Sequence, residues 1–558
     1  MTAFIALWHK RGVRLQLLLP LLALCAALCR ASAAEPSKPN ILFFFADDWG
    51  RYASAYRSRD GGNSLNSIVS TPNFDRLARE GVLFTRAHVN APSCTPCRSA
   101  LLSGQYFWRT GRGAILRNAV WDRSIPTYPL LLQKAGWHIG FSGKVWSPGV
   151  PADAPYGAPA NRFVPGGMQI SGYSKLMMAA NDREAARREI MAGIEKNFTA
   201  FLKARKEGQP WCYWFGPTQT HRSIAPGSGE ALWGIKPDSL KGKIPPFLPD
   251  NDVIRKDLSD YLGEVQSVDA AIGVLLELLE KSGEAANTLV VASGDHGMPG
   301  VTHGKCNLYD FGTHVSLVAR WPARIKPGRV VDDFVNLMDL TPTFLEACGE
   351  SPGPQMTGRS LMPQLLSDKS GTVDAARSYV ITGRERHVDI ARPGNAPYPQ
   401  RCLRTAEWSY IRNFAPDRWP MGDPSTKKPA ANKLGEDTFA TFADMDASPT
   451  KSWLVEHGEE PENRKWWDYA FAKRPPEELY DLQKDPWELN NLAGDPAFAA
   501  KKKELSDKLM EELTRTGDPR VTGDGQTFER PPFTDVEARP GPKAGARGAG
   551  PTPGAPVK

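Results

Sequence analysis

Two apolar runs, far apart in the chain, each stop at acidic residues. Asn40 to Ala46 (Asn-Ile-Leu-Phe-Phe-Phe-Ala) ends in Asp47-Asp48, and Thr288 to Ser293 leads through Gly294 into Asp295-His296-Gly297. A short continuous apolar run bounded by polar residues predicts a strand buried on both faces of a parallel sheet. Ligands gather at the carboxyl ends of such strands, which places both acidic pairs where chemistry occurs. Two adjacent carboxylates at a buried strand end repel each other unless a cation neutralises them.

Similar runs at Trp137 to Ser142, Trp211 to Gly216 and Val315 to Trp321 predict further strands. Between the strands lie helical patterns at Phe74 to Glu80, Pro129 to Ala135, Asp182 to Glu207, Val253 to Lys281 and Thr341 to Ala347. Strands alternating with helices imply an α/β sheet covered on both faces. After about residue 370 the rhythm changes to shorter strands (Ser378 to Ile381, Trp408 to Arg412) and a final helix, Pro496 to Arg515, which predicts a smaller α+β subdomain. The expected division is a catalytic unit over 35–370, a subdomain over 371–530 and a Pro, Gly and Ala rich tail over 531–558, expected to be disordered.

The first residues carry a basic stretch (His9, Lys10, Arg11, Arg14), an apolar run from Leu15 to Leu28, then Ala31, Ser32, Ala33 and Ala34. This is the pattern of a secretory signal peptide over 1–34, and its apolar run falls short of the roughly 20 residues a spanning helix needs. The expected location is therefore exported, periplasmic or secreted, with no stable membrane insertion after cleavage. Of the eight cysteines, Cys25 and Cys29 fall in that leader, and the six that remain in so long a chain are no disulfide scaffold. A net charge of +7 spread over 558 residues is too dilute for a nucleic-acid footprint.

One Cys-x-x-Cys pair, Cys94 and Cys97, has no second pair to complete a zinc site. It lies in Ser93-Cys94-Thr95-Pro96-Cys97-Arg98-Ser99-Ala100-Leu101-Leu102-Ser103-Gly104, which resembles the signature of the formylglycine-dependent sulfatases, Cys-x-Pro-x-Arg followed by an apolar helical turn. In that family a maturation enzyme oxidises the cysteine to formylglycine, whose hydrated aldehyde is the nucleophile. The resemblance gives this role to Cys94, has Arg98 hold it, and implies the alkaline-phosphatase-like fold, a mixed, mostly parallel sheet flanked by helices. A nucleophile at a helix N-terminus also faces free N–H groups and the positive end of the dipole, which suits an anionic sulfate. Cys97 is expected to be a small buried residue, since a Cys94–Cys97 disulfide would block maturation.

The same resemblance makes Asp47, Asp48, Asp295 and His296 the ligands of one divalent ion. Three carboxylates favour Ca²⁺, the family's usual choice, while the imidazole equally suits a transition metal. Gly143-Lys144 resembles the segment whose lysine binds sulfate, although Trp146 and Ser147 stand where many sulfatases have a histidine. His221, after the Trp211 run, matches the histidine that faces sulfate and leaving group, and Lys305, in His303-Gly304-Lys305-Cys306-Asn307-Leu308-Tyr309, matches the second sulfate-binding cation. His303 and His314 are expected to be structural. Glu478 to Leu492 resembles the family's carboxyl-terminal segment and is expected to pack the small subdomain.

The implied reaction is in-line attack on sulfur by a hydroxyl at position 94, with Arg98, Lys144 and Lys305 on the sulfate oxygens and His221 protonating the leaving atom. The implied substrate is a sulfated carbohydrate, and the implied partner is the formylglycine-generating maturation enzyme. Asn307-Leu308-Tyr309 and Tyr398-Pro399-Gln400-Arg401 resemble the heparan N-sulfatase branch, which makes His387 and Arg401 candidates for glycan contact and leaves N- and O-sulfate both open. Competing expectations are a phosphomonoesterase or phosphodiesterase of the same superfamily, and an inactive protein that binds sulfated glycans.

Overall fold

The computed structural model describes residues 38–426 and 429–536; the leader with Cys25 and Cys29, and the tail beyond 536, lie outside them. A seven-stranded mixed sheet forms the centre. Its strands are β1 (Asn40–Ala46), β2 (Val82–His88), β3 (His138–Gly143), β4 (Trp211–Gly216), β5 (Thr288–Gly294), β6 (Leu317–Arg320) and β7 (Arg329–Asn336), in the spatial order β3-β4-β1-β5-β6-β2-β7. β6 runs antiparallel to both its neighbours, and the other pairs are parallel. The sheet is the mixed, mostly parallel one expected.

Side chains alternate across a strand, so β1 feeds two cores at once. Leu42, Phe44 and Ala46 enter the core on one face, and Ile41, Phe43 and Phe45 the core on the other. The helices that cover these faces are α1 (Pro72–Glu80), α2 (Cys94–Ser103), α3 (Tyr128–Lys134), α4 (Arg183–Ala204), α5 (Asp252–Lys281) and α6 (Leu340–Ala347). Side-chain caps fix the starts of the two longest: Asp182 accepts from the N–H of Ala185, and Asn251 from that of Ile254.

A second, antiparallel sheet has the order β11-β10-β9-β8, built from β8 (Tyr379–Arg384), β9 (Gln400–Thr405), β10 (Trp408–Asn413) and β11 (Glu477–Asp481). The helix α7 (Ala499–Arg515) packs on it through Leu505, Leu509 and Leu513. Residues 531–536 depart from the disorder expected from Pro531 onward. The carbonyls of Thr534 and Asp535 accept from the side chains of Asn395 and Arg386, which ties this stretch to the body. Among the described residues, no helix is long and apolar enough to cross a membrane.

The helix α5 buries acidic side chains whose protonation should show in stability. Burial raises Glu264 from 4.5 to about 7, outweighing hydrogen bonds from Ser174 and Ser267. The folded state then binds a proton that the unfolded state has released, so stability falls as pH rises from about 4.5 to 7 and is flat above. The full effect is on the order of 3 kcal/mol. Urea midpoints of wild type and Glu264→Gln should diverge over that interval in favour of the glutamine; a gap independent of pH would refute the assignment.

Candidate active site

The carboxyl ends of β1 and β5 are neighbours in the sheet, in register from Asn40 opposite Thr288 to Ala46 opposite Gly294. The two acidic pairs therefore meet although most of the catalytic sheet's sequence separates them. Gly294 is needed there, because a Cβ at this position would lie 1.9 Å from the carbonyl oxygen of Trp49. Asp48 takes a left-handed backbone, φ 59°, and its N–H donates to Asp295 Oδ1 at 2.7 Å. Tyr261 Oη donates to the carbonyl of Asp48, and Thr220 Oγ1 to that of Asp47, which pins the turn from both sides.

The imidazole of His296 completes the set. Its Nε2 lies 3.3 Å from Asp48 Oδ1 and 3.5 Å from Asp295 Oδ1, and Nδ1 faces the carbonyl of Gly297 at 3.2 Å. With Nδ1–H donating to that carbonyl, the Nε2 lone pair points at two carboxylate oxygens, an arrangement that a cation between them resolves. Asp48, Asp295 and His296, together with Cys94, offer ligand atoms within 4.8 Å of one another, all buried. Hard oxygens joined by one imidazole fit a divalent ion. Asp47 sits beside this group, close to Asp48 and His221.

Cys94 opens α2 and is buried, with Sγ 3.4 Å from His296 Nε2 and 3.9 Å from Asp48 Oδ1. Ser93, at the N-cap position, does not cap the helix; its Oγ shares a 2.8 Å hydrogen bond with His387 Nδ1. The N–H groups of Cys94 and Thr95 therefore lack a side-chain acceptor and stay available to an anion, while Pro96 has none and that of Cys97 bonds the carbonyl of Ser93. Burial and the nearby Asp47 carboxylate push the Cys94 thiol well above its ordinary range, despite Lys144 and Lys305. All six cysteines of the described residues are free, Cys94 and Cys97 included.

Arg98 occupies a place different from the one expected. Its guanidinium is fully buried and donates to Asp295 Oδ2 (2.9 Å), Asp47 Oδ1 (3.0 Å) and the carbonyls of Lys144 and Val145. Every nitrogen is thus committed to protein acceptors, which makes Arg98 a clamp on the carboxylates and not a contact for sulfate oxygens. Lys144 Nζ reaches Asp47 at 2.7 Å, and Lys305 Nζ reaches Asp48 Oδ2 at 3.1 Å. Burial alone would raise the Asp47 carboxyl, but Lys144 and Arg98 hold it well below the usual range, whereas burial keeps Asp295 raised against His296 and Arg98.

His221 stands at the opening, its side chain 36% exposed, with Nε2 3.9 Å from Asp48 Oδ2 and Nδ1 2.6 Å from the carbonyl of Arg222. That carbonyl takes the Nδ1 proton and leaves Nε2 facing the site. Trp146, at the position where a histidine was missing, lies in the core and donates from Nε1 to Ser99 Oγ. His387 lines the wall behind Ser93, and burial, aided by Lys305, lowers it to about 3, so it is neutral near pH 7.

Arg401 corrects a second expectation. It points into the interior of the small subdomain, fully buried, where Glu385 and Asp518 take its guanidinium at 2.9 and 2.5 Å, and it can reach no glycan from there. Arg401→Met should cost about 3 kcal/mol in a urea titration, because it takes the cation from buried Asp518 and leaves Glu385 with Arg520 alone. KM should not move; a change in KM with stability intact would restore the glycan contact.

Another histidine group, His88, Asp310 and His314, also has ligand atoms close together. Its imidazoles stack with centroids 4.5 Å apart and planes 18° apart, so their in-plane lone pairs run side by side and cannot converge on one ion. His303 stacks on Tyr309 at 3.9 Å in the interior. Sequence reasoning overlooked Asp446, whose Oδ2 lies 3.2 Å from Lys305 Nζ. It follows β10 in an excursion that returns only at β11, and Asp444-Met445-Asp446-Ala447-Ser448-Pro449 advertises no more than a helix start capped by Ser448.

A buried cysteine at a helix start, set against strand-end acids and flanked by lysines, defines a hydrolase site for an anionic ester. The family model for sulfatases matches residues 39–350, and the chain belongs to the sulfatase family. Among curated relatives it is similar to human N-sulphoglucosamine sulphohydrolase, 28% identical over 90% of this chain and 95% of the relative. It is also similar to an ulvan-active sulfatase of Formosa agariphila, 25% identical over 87% of this chain and 76% of the relative. A structure solved with its substrate D-glucosamine-2-N,6-O-disulfate shares the fold, with a TM-score of 0.56 and 19% identity over 86% of this chain and 98% of that one.

Proposed function

We propose that this sulfatase is exported and removes sulfate from a sulfated sugar or glycan, using a formylglycine made from Cys94. The observation that carries this reading is the place of Cys94 Sγ, at an uncapped helix start, 3.4 Å from His296 and within reach of Asp48. Its thiol, pushed up by burial, stays protonated near neutrality and is a poor nucleophile as it stands. Oxidised to the aldehyde and hydrated, residue 94 supplies a hydroxyl to attack sulfur and a second hydroxyl whose deprotonation expels sulfate without another attack at sulfur.

Asp47, Asp48, Asp295 and His296 would hold a divalent ion, Ca²⁺ on the strength of three carboxylates, which supplies charge neutralisation and a more acidic nucleophile hydroxyl. Arg98 fixes Asp47 and Asp295 in that arrangement through its buried bonds. Lys144 and Lys305 then face the sulfate oxygens as negative charge moves toward the leaving group. His221, with Nδ1–H spent on the carbonyl of Arg222, turns Nε2 to the leaving oxygen or nitrogen and, as the imidazolium, would pass it the proton and return to the neutral imidazole. The relatives named above act on sulfated carbohydrates, which supports that substrate class, with N- and O-sulfate both within it.

The test has two parts. Secreted protein, coexpressed with a maturation enzyme, is digested and the peptide spanning Cys94 weighed; the mass of the aldehyde is expected. Sulfate release is then followed on N-sulfated glucosamine, O-sulfated sugars and a phosphate monoester. An unmodified cysteine with no sulfate release from any sugar would overturn the proposal, and phosphate release alone would make the chain a phosphatase.

A further inference from the structure

A carboxylate is out of place in an anion-binding pocket, yet Asp446 enters this one. Its Oδ2 lies 3.2 Å from Lys305 Nζ, the same ammonium that reaches Asp48 Oδ2 at 3.1 Å. Its side chain is only 14% exposed and interacts electrostatically with both His221 and His387. The backbone that carries it is anchored. Ser448 Oγ donates to the carbonyl of Gly300, Lys451 Nζ to the carbonyl of Met445, and Asp444 is shared by Arg384 and Arg392 at 2.7 and 2.8 Å. The main chain at Asp446 is therefore held at the site, and its carboxylate stays within reach of Lys305.

Resting on the sulfatase reading above, we propose that Asp446 is a specificity-determining residue that sets the site for singly charged sulfuryl esters and against doubly charged phosphate monoesters. The fixed charges that touch one another around Cys94 are the carboxylates of Asp47, Asp48, Asp295 and Asp446 and the cations of Arg98, Lys144 and Lys305. Asp446 is the carboxylate of this group that lies outside the strand-end acids, and in a site with little water to screen it its charge repels a phosphate monoester dianion twice as strongly as a sulfate monoester or N-sulfate monoanion. His221 and Lys451, which also interact with Asp446, belong to the background that is the same for every ester. The pair of arginines on Asp444 adds a constant background behind Asp446. Removing the charge at 446 lowers repulsion twice as far for a dianion as for a monoanion, whatever that background is.

The experiment compares wild type, Asp446→Asn and Asp446→Glu on three chromogenic esters at pH 8. These are 4-nitrophenyl sulfate (one charge), 4-nitrophenyl phosphate (two charges) and 4-nitrophenyl phenylphosphonate (phosphorus, one charge). In Asp446→Asn the kcat/KM ratio of phosphate to sulfate should rise about tenfold or more, while the ratio of phosphonate to sulfate stays within about threefold. Asp446→Glu, which keeps the charge, should keep the wild-type ratios. Unchanged ratios in Asp446→Asn, or an equal rise for both phosphorus esters, would overturn the proposal. A second arm needs no turnover: in a Cys94→Ala background loaded with Ca²⁺, calorimetric affinities for phenyl phosphate and phenyl sulfate should shift in the same ratio when Asp446→Asn is added. If wild type cleaves no sulfate ester, the sulfatase reading fails, and the affinity ratio still decides the role of Asp446.

Discussion

Cys94→Ala protein is expected to release sulfate at a rate at least roughly 10⁴-fold below wild type, the scale on which enzymes lose turnover with their nucleophile. The side chain at 94 is where the proposed hydroxyl originates, and among the described residues no other cysteine has a ligand atom grouped with Asp48, Asp295 and His296. Ser93, the adjacent hydroxyl, is already engaged with His387. The fold should tolerate the change, since alanine suits a helix start and the removed sulfur leaves only a small void. Cys97→Ser is the matched control. Cys97 lies one turn further on, in the core beneath the sheet with Leu101 and Leu102, so its loss should leave most of the turnover. Near-wild-type activity in Cys94→Ala would dispose of the mechanism.

Arg98→Met should be the most damaging substitution for stability, on the order of 3 to 5 kcal/mol. The guanidinium neutralises Asp47 and Asp295 together and also satisfies the carbonyls that follow β3. Methionine fills much of the space but leaves two buried carboxylates with only Lys144 as a nearby cation. Turnover should vanish with the geometry of the acidic residues. Millimolar Ca²⁺ should restore part of the lost stability, because the ion supplies the missing positive charge at those same oxygens. A variant as stable as wild type without added ion would mean that the carboxylates do not depend on Arg98.

The strands that sequence reasoning finds are those whose two faces are both buried. β1, β4 and β5 read as apolar runs because their buried polar residues, Asn40 in β1 and Thr288 and Ser293 in β5, fall only toward the strand ends. β2 and β7 escape it, since Arg86, Asp332 and Asp333 interrupt the pattern. β7 is an edge strand, and Asp333 is tolerated inside only because the Gln364 side chain and the N–H groups of Val373 and Asp374 meet it. Partners so distant in the chain leave no local trace. β9 hides for the same reason, with Arg401 and Arg404 neutralised by Glu385, Asp518 and Glu488. The acids at the strand ends and the cysteine are recognisable because motif and strand coincide. Asp446 and the true environment of Arg401 are not, because each depends on which distant segment comes to rest beside it.

The depth at which residue 94 lies has a consequence for biogenesis. All ten residues of α2 are buried, and the cysteine itself is 2% exposed. On the proposed chemistry, an oxidising enzyme must reach that sulfur while the polypeptide is still open, so modification and folding run as competing clocks. The active fraction of a preparation then records which clock was faster during synthesis and export, and slowing the collapse of the chain should raise it.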